Sequence, residues 1–335
     1  MTYEEVMSLN KARISKEFGN KADEARKMLS GLMMKWHPDV SSHEKAQDVL
    51  MHLVSLRDSL GSGGHQRWPL RIFQREGGSD FGMQIISEYH DGLSTVMVAN
   101  HSISRMFRKE DADLAEFSAR NTFTMRFADD RMRAEMTKYL PSKTKVTRLK
   151  DGSVMLTDKR RQDQLPLSDL FGAKGPLDPR GAAWIVSGMM NIACWLEWSA
   201  TRHLGISENT VMISPEIHQV SLFGGWEFSS KPGEPLMAIP DRAARMFPQV
   251  TAGGEPPVGA ERKLIRDMYM RICGVRNISD ALSGALPKEI AAWVTSPPPE
   301  KAVDDYEMWK KALRASYGEP KFIRMGVTPE DVYGR

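Results

Sequence analysis

Cysteine is scarce in this sequence, because Cys194 and Cys273 are the only two among its 335 residues. A chain of this length without a disulfide framework is typical of a reducing compartment, so we expect both thiols to be free and to lie in the core. No window approaches the roughly 18 uninterrupted apolar residues of a membrane-spanning helix. The N-terminal sequence MTYEEVMSLNKARISKEFG also lacks the apolar segment of a secretory signal. These absences predict a cytoplasmic protein with no membrane partner.

A strong excess of one charge is also missing. The sequence has 46 Lys and Arg against 43 Asp and Glu, a formal net charge of +3, and neither end carries a long basic run. We therefore do not expect nucleic acid as a partner. Histidine is concentrated before residue 66, but no cysteine accompanies it there and no His-x-x-x-His spacing occurs. A Walker loop and a nucleophile elbow are absent as well. We predict no metal and no cofactor.

The composition that is present fits two globular domains. Hydrophobic residues make up 41% and charged residues 27% of the chain, and its length allows about two domains of about 150 residues. The clearest boundary is Gly61-Ser62-Gly63-Gly64, which follows a helical pattern and precedes a strand-like one. We predict a small domain at 1–62, a linker at 63–67 and a larger domain at 68–335.

Two amphipathic helices are predicted in the small domain, at about 21–36 and 44–60, because each carries an apolar stripe at helical spacing. Between them lies His37-Pro38-Asp39. Proline ends the first helix near His37, and Asp39 suits a turn. Two antiparallel helices can bury their stripes against each other, which leaves this turn exposed at one end.

This arrangement resembles a J-domain, the module by which DnaJ-type co-chaperones engage DnaK-type chaperones. The resemblance implies that the His-Pro-Asp turn triggers ATP hydrolysis on the chaperone, while basic side chains on the first helix bind an acidic surface. Ser30-Gly31 stands where the family usually has a second basic pair, and the family's basic fourth helix is absent, which implies weaker binding. The expected chaperone-binding residues are Arg26, Lys27, Lys35, His37, Pro38 and Asp39.

The larger domain begins with strand patterns and ends with helical ones. A glycine-rich turn divides residues 70–89 into two strands, and Asp151-Gly152 marks a second hairpin. Asp178-Pro179 begins a long helix, two short strands follow at 210–213 and 219–223, and the C-terminal third is largely helical. We predict an α+β fold in two lobes, at about 68–165 and 166–335.

The order of these elements resembles a protein kinase. Gly77, Ser79 and Gly82 follow the pattern of a glycine-rich loop, with serine in place of the middle glycine. The segment HLGISENTVMISPEIHQVSLFGGWEF is similar to the segment from the catalytic loop to the metal-binding loop of kinase relatives. The resemblance implies a kinase-like fold for residues 68–335.

The residues that phosphoryl transfer needs are missing at the matching positions. Gly205 occupies the place of the catalytic aspartate, Thr210 that of the metal-binding asparagine and Gly224 that of the metal-loop aspartate. The strand that should carry the phosphate-binding lysine contains no lysine, and Asn100 or Val98 occupies its site. A glycine has no side chain, and a hydroxyl is a poor ligand for a hard cation beside a carboxylate. The resemblance therefore implies a pseudokinase rather than an enzyme.

Our main hypothesis is an adaptor in which the J-like domain recruits and stimulates a DnaK-type chaperone and the inactive kinase-like domain binds a protein client. One alternative is a divergent kinase-fold phosphotransferase that uses other residues. A second is a structural component of a larger complex or virus particle. The adaptor requires an exposed His37 and Asp39, whereas the phosphotransferase requires carboxylates that converge in the cleft.

Overall fold

A computed structural model of the protein describes residues 2–10, 13–14, 22–36, 41, 43–46, 48–49, 52–53, 56, 68–141, 144–161, 163–215, 217–319, 323 and 325–334. The chain divides into two compact units, Met1–Ile85 with Gly334–Arg335, and Ile86–Tyr333. The predicted linker at 63–67 lies outside the described residues. Residues 68–85, which we assigned to the larger domain, group with the first unit. The predicted domain boundaries stay predictions.

The first unit contains the helix predicted before the His-Pro-Asp turn. Helix α1 (Tyr3–Met7) begins at Thr2, whose hydroxyl accepts the Glu5 N–H while the Glu5 carboxylate accepts the Thr2 N–H. Helix α2 (Ala22–Lys35) confirms the first predicted helix. The described residues between 46 and 56 are also helical. The buried apolar residues come from these three segments and from residues that flank the first two: Val6, Leu9, Ile14, Ala25, Leu29, Trp36, Val49, Leu53 and Leu56.

A hairpin follows in the same unit. Strands β1 (Leu70–Phe73) and β2 (Phe81–Gln84) pair antiparallel and form a two-stranded sheet of their own. The ring centroids of Phe73 and Phe81 lie 5.4 Å apart, and Gly77 adopts a φ of +64° in the turn. This confirms the predicted strand, glycine turn and strand.

The second unit begins with an antiparallel sheet of five strands in the order β3-β4-β5-β7-β6. Asp151-Gly152 forms the turn between β6 and β7, as predicted, with Gly152 at a φ of +87°. One long helix, α3, packs on one face of the sheet against β5 and β7. The elements are β3 (Ser87–His90), β4 (Ser94–Val98), β5 (Ser102–Phe107), α3 (Ala112–Phe123), α4 (Asp130–Met136), β6 (Lys145–Arg148) and β7 (Val154–Lys159).

The rest of the second unit is mostly helical. Its short strands are β8 (Leu165–Pro166), β9 (Arg202–His203), β10 (Val211–Ser214), β11 (Gln219–Leu222) and β12 (Ser229–Ser230). Its helices are α5 (Leu167–Lys174), α6 (Pro179–Trp198), α7 (Asp241–Met246), α8 (Pro248–Thr251), α9 (Ala260–Ile272), α10 (Ile278–Asp280), α11 (Lys288–Thr295), α12 (Ala302–Tyr317) and α13 (Pro329–Tyr333). A strand-rich part followed by a helix-rich part confirms the α+β class.

Helix α6 forms the centre of this helical part. It begins as predicted at Asp178, whose carboxylate accepts the Gly181 N–H, with Pro179 in the first turn. Half of its residues are buried, and it packs against β11, α9 and α12. None of the described helices is long and apolar enough to cross a bilayer. Cys194 and Cys273 are free thiols, and burial raises the pKa of Cys273 to about 12.

Candidate functional site

The predicted chaperone-binding turn, His37, Pro38 and Asp39, lies outside the described residues. The helix that leads to it is described, and Lys35 is exposed at its end. Arg26 and Lys27 lie within α2, but the structure does not describe their side chains. The basic face of α2 therefore remains a prediction, apart from the exposed position of Lys35.

An aromatic cluster that we did not predict joins the two sides of this turn to α1. The ring centroids of Trp36, which precedes the turn, and His43, which follows it, lie 5.3 Å apart with the ring planes at 70°. His43 stacks on Tyr3 at 5.5 Å, and the ammonium of Lys45 lies 5.1 Å from the Tyr3 ring. Trp36 is buried, whereas His43 is exposed. The residues on both sides of the segment 37–42 therefore belong to one contact cluster.

The positions that resemble a glycine-rich loop lie in the first unit. Gly77 and Ser79 are exposed in the turn between β1 and β2, and Gly82 lies in β2 opposite Ile72. The other predicted kinase-like positions belong to the second unit.

Three of those positions lie close together in the second unit. The Thr210 hydroxyl donates to the Gly205 carbonyl at 2.6 Å, and the Gly224 N–H donates to the Thr210 carbonyl at 3.3 Å. A Cβ atom on Gly205 would lie 2.7 Å from the Gly225 Cα and 2.8 Å from the Phe228 ring. Because backbone cannot give way like a flexible side chain, no carboxylate fits at position 205.

A buried arginine approaches Gly224 from the sheet. The Arg105 guanidinium, on β5, donates to Glu227 Oε2 at 2.6 Å and to the Ser118 hydroxyl of α3 at 2.8 Å. Ser118 donates in turn to the same carboxylate oxygen at 3.0 Å. Arg105 Cδ lies 3.4 Å from the point where a Cβ on Gly224 would be. Arg105 and Glu227 are 2% and 0% exposed, so this ion pair is shielded from water.

Asn100 does not lie in this cluster. It lies in the turn between β4 and β5, and its carbonyl accepts a hydrogen bond from Arg160 at 3.1 Å. The sequence-based prediction concerns a lysine on this strand and does not include Arg105 or Glu227. The available signal was an arginine within an otherwise uncharged strand, SISRMF.

Two buried carboxyl groups, those of Glu227 and Asp158, and the half-buried carboxyl of Asp91 interact with the Arg105 cation. Burial by itself lowers the pKa of the Arg105 guanidinium. The negative charges of Glu227, Asp91 and Asp158 outweigh this effect, so the pKa is raised. Burial and then Glu227 raise the pKa of Asp91, and burial raises the pKa of Asp158. Of these three carboxylates, Glu227 contacts the guanidinium directly, at the distance of a charge-assisted hydrogen bond. The positive charge is therefore fully compensated within the protein.

Side chains from the sheet edge and from the C-terminal helix contact the helical part nearby. The Tyr89 hydroxyl, on β3, donates to the Asn209 carbonyl at 2.8 Å. The Tyr333 hydroxyl, on α13, donates to Asp169 of α5 at 2.8 Å. Burial raises the pKa of the Asp169 carboxyl and, well above its usual value, that of Tyr89. These are structural contacts, because each polar group already has a partner within the protein.

A buried histidine, His203, lies in β9, shortly before Gly205. His203 is fully buried, its ring lies edge-on to Trp226 at 4.6 Å, and its backbone N–H donates to Glu261 Oε1 at 3.0 Å. Burial lowers the pKa of the His203 imidazole from 6.5 to about 3. Burial also raises the pKa of the Glu261 carboxyl.

The neutral imidazole predicts acid sensitivity of the second unit. Between pH 6.5 and about 3 the unfolded chain binds a proton at His203 that the folded unit does not, so acid favours unfolding. We expect His203 to lower the free energy of unfolding by about 1.4 kcal/mol for each pH unit in this range. Denaturant unfolding of the protein at a series of pH values measures this slope.

Two variants distinguish the effect of imidazole titration on stability from the effect of side-chain packing. His203→Phe should flatten the pH dependence, whereas Trp226→Phe, which keeps the imidazole, should preserve it. An unchanged slope in His203→Phe would contradict the prediction.

A cavity of about 210 Å³ lies at the end of α6 and the start of α9. Its walls carry negative and positive side chains, among them Glu197 and Arg202. Aliphatic groups line the rest of the wall. Val258 lines it and is 70% exposed, and Trp198, next to Glu197, is 48% exposed. Exposed apolar side chains beside a cavity are a feature of surfaces that bind other proteins.

No three His, Cys, Asp or Glu side chains converge as metal ligands in the part of the chain that the structure describes. No protein-family model matches the chain, and no curated protein matches its sequence.

Proposed function

We propose that the protein is a cytoplasmic adaptor in which a J-like N-terminal domain recruits and stimulates a DnaK-type chaperone, and a catalytically inactive kinase-like domain binds a protein client. The observation that carries the second half of this proposal is the buried pair of Arg105 and Glu227 beside Gly224. The first half rests on the sequence around His37 and on the helix that precedes it.

Kinase chemistry explains why the buried pair matters. Active protein kinases use a lysine on the third strand of the sheet, paired with a glutamate on the following helix, together with a metal-binding aspartate. In the five-stranded sheet the third strand is β5, its cation is Arg105, and the following helix supplies Ser118. Arg105 is 2% exposed and its partner Glu227 is 0% exposed, so this cation is shielded from a phosphate in solution.

The strand order of the five-stranded sheet, compared with that of a kinase, also changes where we place the start of the proposed kinase-like domain. The first hairpin of the five-stranded sheet is β3 and β4, which turns at Asp91-Gly92. Gly77, Ser79 and Gly82 belong to the separate hairpin before it. We therefore propose that the kinase-like domain begins at about Ser87 and that its loop has a single glycine.

This proposal predicts that the protein does not bind ATP at the kinase-like site. A ligand raises the melting temperature only when its concentration exceeds its dissociation constant. Millimolar ATP with Mg²⁺ should therefore leave the melting temperature of the full chain unchanged. An active kinase measured in parallel serves as the positive control. A Mg²⁺-dependent increase, or phosphate transfer to a protein substrate, would instead favour the divergent phosphotransferase.

For the client, we propose the surface around the cavity at the end of α6. Trp198 and Val258 offer apolar contact area, and the charged groups of the cavity wall can orient a bound segment.

The decisive experiment is an ATP turnover assay with a DnaK-type chaperone. Adding the full chain should increase the chaperone's steady-state turnover in a saturable way. Turnover that stays at the level of the chaperone alone, at every concentration of the protein, would contradict the proposed recruitment.

A further inference from the structure

A second, smaller cavity lies in the second unit near the C-terminal end of α3. It is lined by residues near that end, by Trp195 of α6, and by Trp226, Ser230 and Lys231 with their neighbour Ser229. Its volume is about 30 Å³. A water molecule needs about 10–15 Å³ measured in this way, so the cavity has room for two waters or one small ion.

Two residues that line this cavity carry buried polar atoms without a protein partner. They are the hydroxyl Oγ of Ser230 and the indole Nε1 of Trp226. The residues are 5% and 1% exposed. An indole N–H can only donate, and a buried donor without an acceptor costs about 1–3 kcal/mol. Both groups therefore favour a ligand that accepts hydrogen bonds.

The surrounding charge favours an anion over a neutral acceptor. The Lys231 ammonium donates to the Thr201 hydroxyl at 2.6 Å and to the Ser199 carbonyl at 3.3 Å, which leaves one of its three N–H groups. Burial, and then the nearby Arg126, lower the pKa of Lys231. Glu234 is the acidic residue at the cavity and is exposed. Arg126 is exposed too and does not line the cavity, so the half-buried Lys231 ammonium is the cation of the cavity wall and faces one solvated carboxylate.

We propose that this cavity binds a small monovalent inorganic anion of the size of chloride. The anion would accept hydrogen bonds from Ser230 and Trp226 and would be held by the charge of Lys231. Its position joins the end of α3, helix α6 and strand β12, so its binding would stabilise the second unit.

Thermal unfolding of the full chain tests the site. Melting temperatures are compared in sodium chloride and in sodium gluconate at equal ionic strength, because gluconate is too large for the cavity. We expect a saturable increase with chloride, reproduced by bromide. Equal melting temperatures in the two salts at all concentrations would overturn the proposal.

Three variants locate the effect. Ser230→Ala removes one hydrogen bond to the anion and Lys231→Gln removes the charge, and each should weaken the apparent chloride affinity at least about tenfold. Lys174→Gln alters an exposed lysine that lies 3.8 Å from Asp331, and it should leave the affinity unchanged. A chloride effect that persists unchanged in Ser230→Ala and Lys231→Gln would also overturn the assignment.

A second measurement does not depend on the variants folding. Chloride that exchanges with a protein site broadens the ³⁵Cl magnetic resonance line, and bromide should reverse the broadening by competition. We expect broadening with the parent protein at the concentrations that raise its melting temperature. Absence of any bromide-sensitive broadening would contradict the site.

Discussion

Substituting His37 by glutamine should reduce the stimulation of a DnaK-type chaperone to the turnover of the chaperone alone. In the proposed function this residue belongs to the turn that triggers ATP hydrolysis on the partner, and its loss removes a specific contact rather than a packing contact. Residues in turns between helices contribute little to the core, so the melting temperature should stay within about 1 °C of the parent. Chaperone turnover and thermal unfolding of the same preparation measure both effects.

Added salt and a second substitution distinguish the contribution of the turn to stimulation from the contribution of the basic residues of α2 to binding. Lys35→Gln, at an exposed position at the end of α2, should raise the concentration needed for half-maximal stimulation while leaving the maximum nearly unchanged. Salt should act in the same direction, because exposed charges are screened over about 8 Å at physiological ionic strength. If His37→Gln stimulated the chaperone as strongly as the parent does, the J-like assignment would be wrong.

Replacing Arg105 by methionine should destabilise the second unit by about 3–5 kcal/mol, because it leaves Glu227 buried without its cation. Glu227→Met should have an effect of the same size, since it leaves the guanidinium buried instead. The double variant Arg105→Met with Glu227→Met should recover most of the lost stability, because two apolar side chains need no compensation. Denaturant unfolding of the four proteins gives the coupling free energy.

An exposed ion pair in the same unit provides the matched control. Arg148 pairs with Glu116 on the surface, with both side chains more than 40% exposed. Arg148→Met should change the free energy of unfolding by less than about 1 kcal/mol. Equal effects of Arg105→Met and Arg148→Met would show that the buried pair is not the structural centre that we infer.

Much of the secondary structure follows from local patterns. The apolar stripe before Trp36, the Asp178-Pro179 cap and the Asp151-Gly152 turn each act within a few residues, and each element was predicted close to its observed bounds. Such signals depend on backbone geometry and on one buried face. The α+β class follows from their order along the chain.

The contents of the candidate site could not be predicted in the same way. Arg105 and Glu227 are 122 residues apart, and no local pattern indicates which buried charge will meet which. The prediction also required a lysine at one strand position, whereas an arginine such as Arg105 can fill a similar space and keeps its charge. The aromatic cluster of Tyr3, Trp36 and His43 depends in the same way on contacts between distant segments.

The hydrogen bond between Tyr333 and Asp169 connects residues 164 positions apart and has a consequence for the timing of biosynthesis. Tyr333 is buried, so the second unit lacks part of its packing until the ribosome has added that residue and released it from the exit tunnel. The described residues between 2 and 56 form an apolar core of their own and emerge much earlier. Under the proposed function, this N-terminal core would be available to recruit a chaperone on the nascent chain while the larger unit of the same molecule is still incomplete.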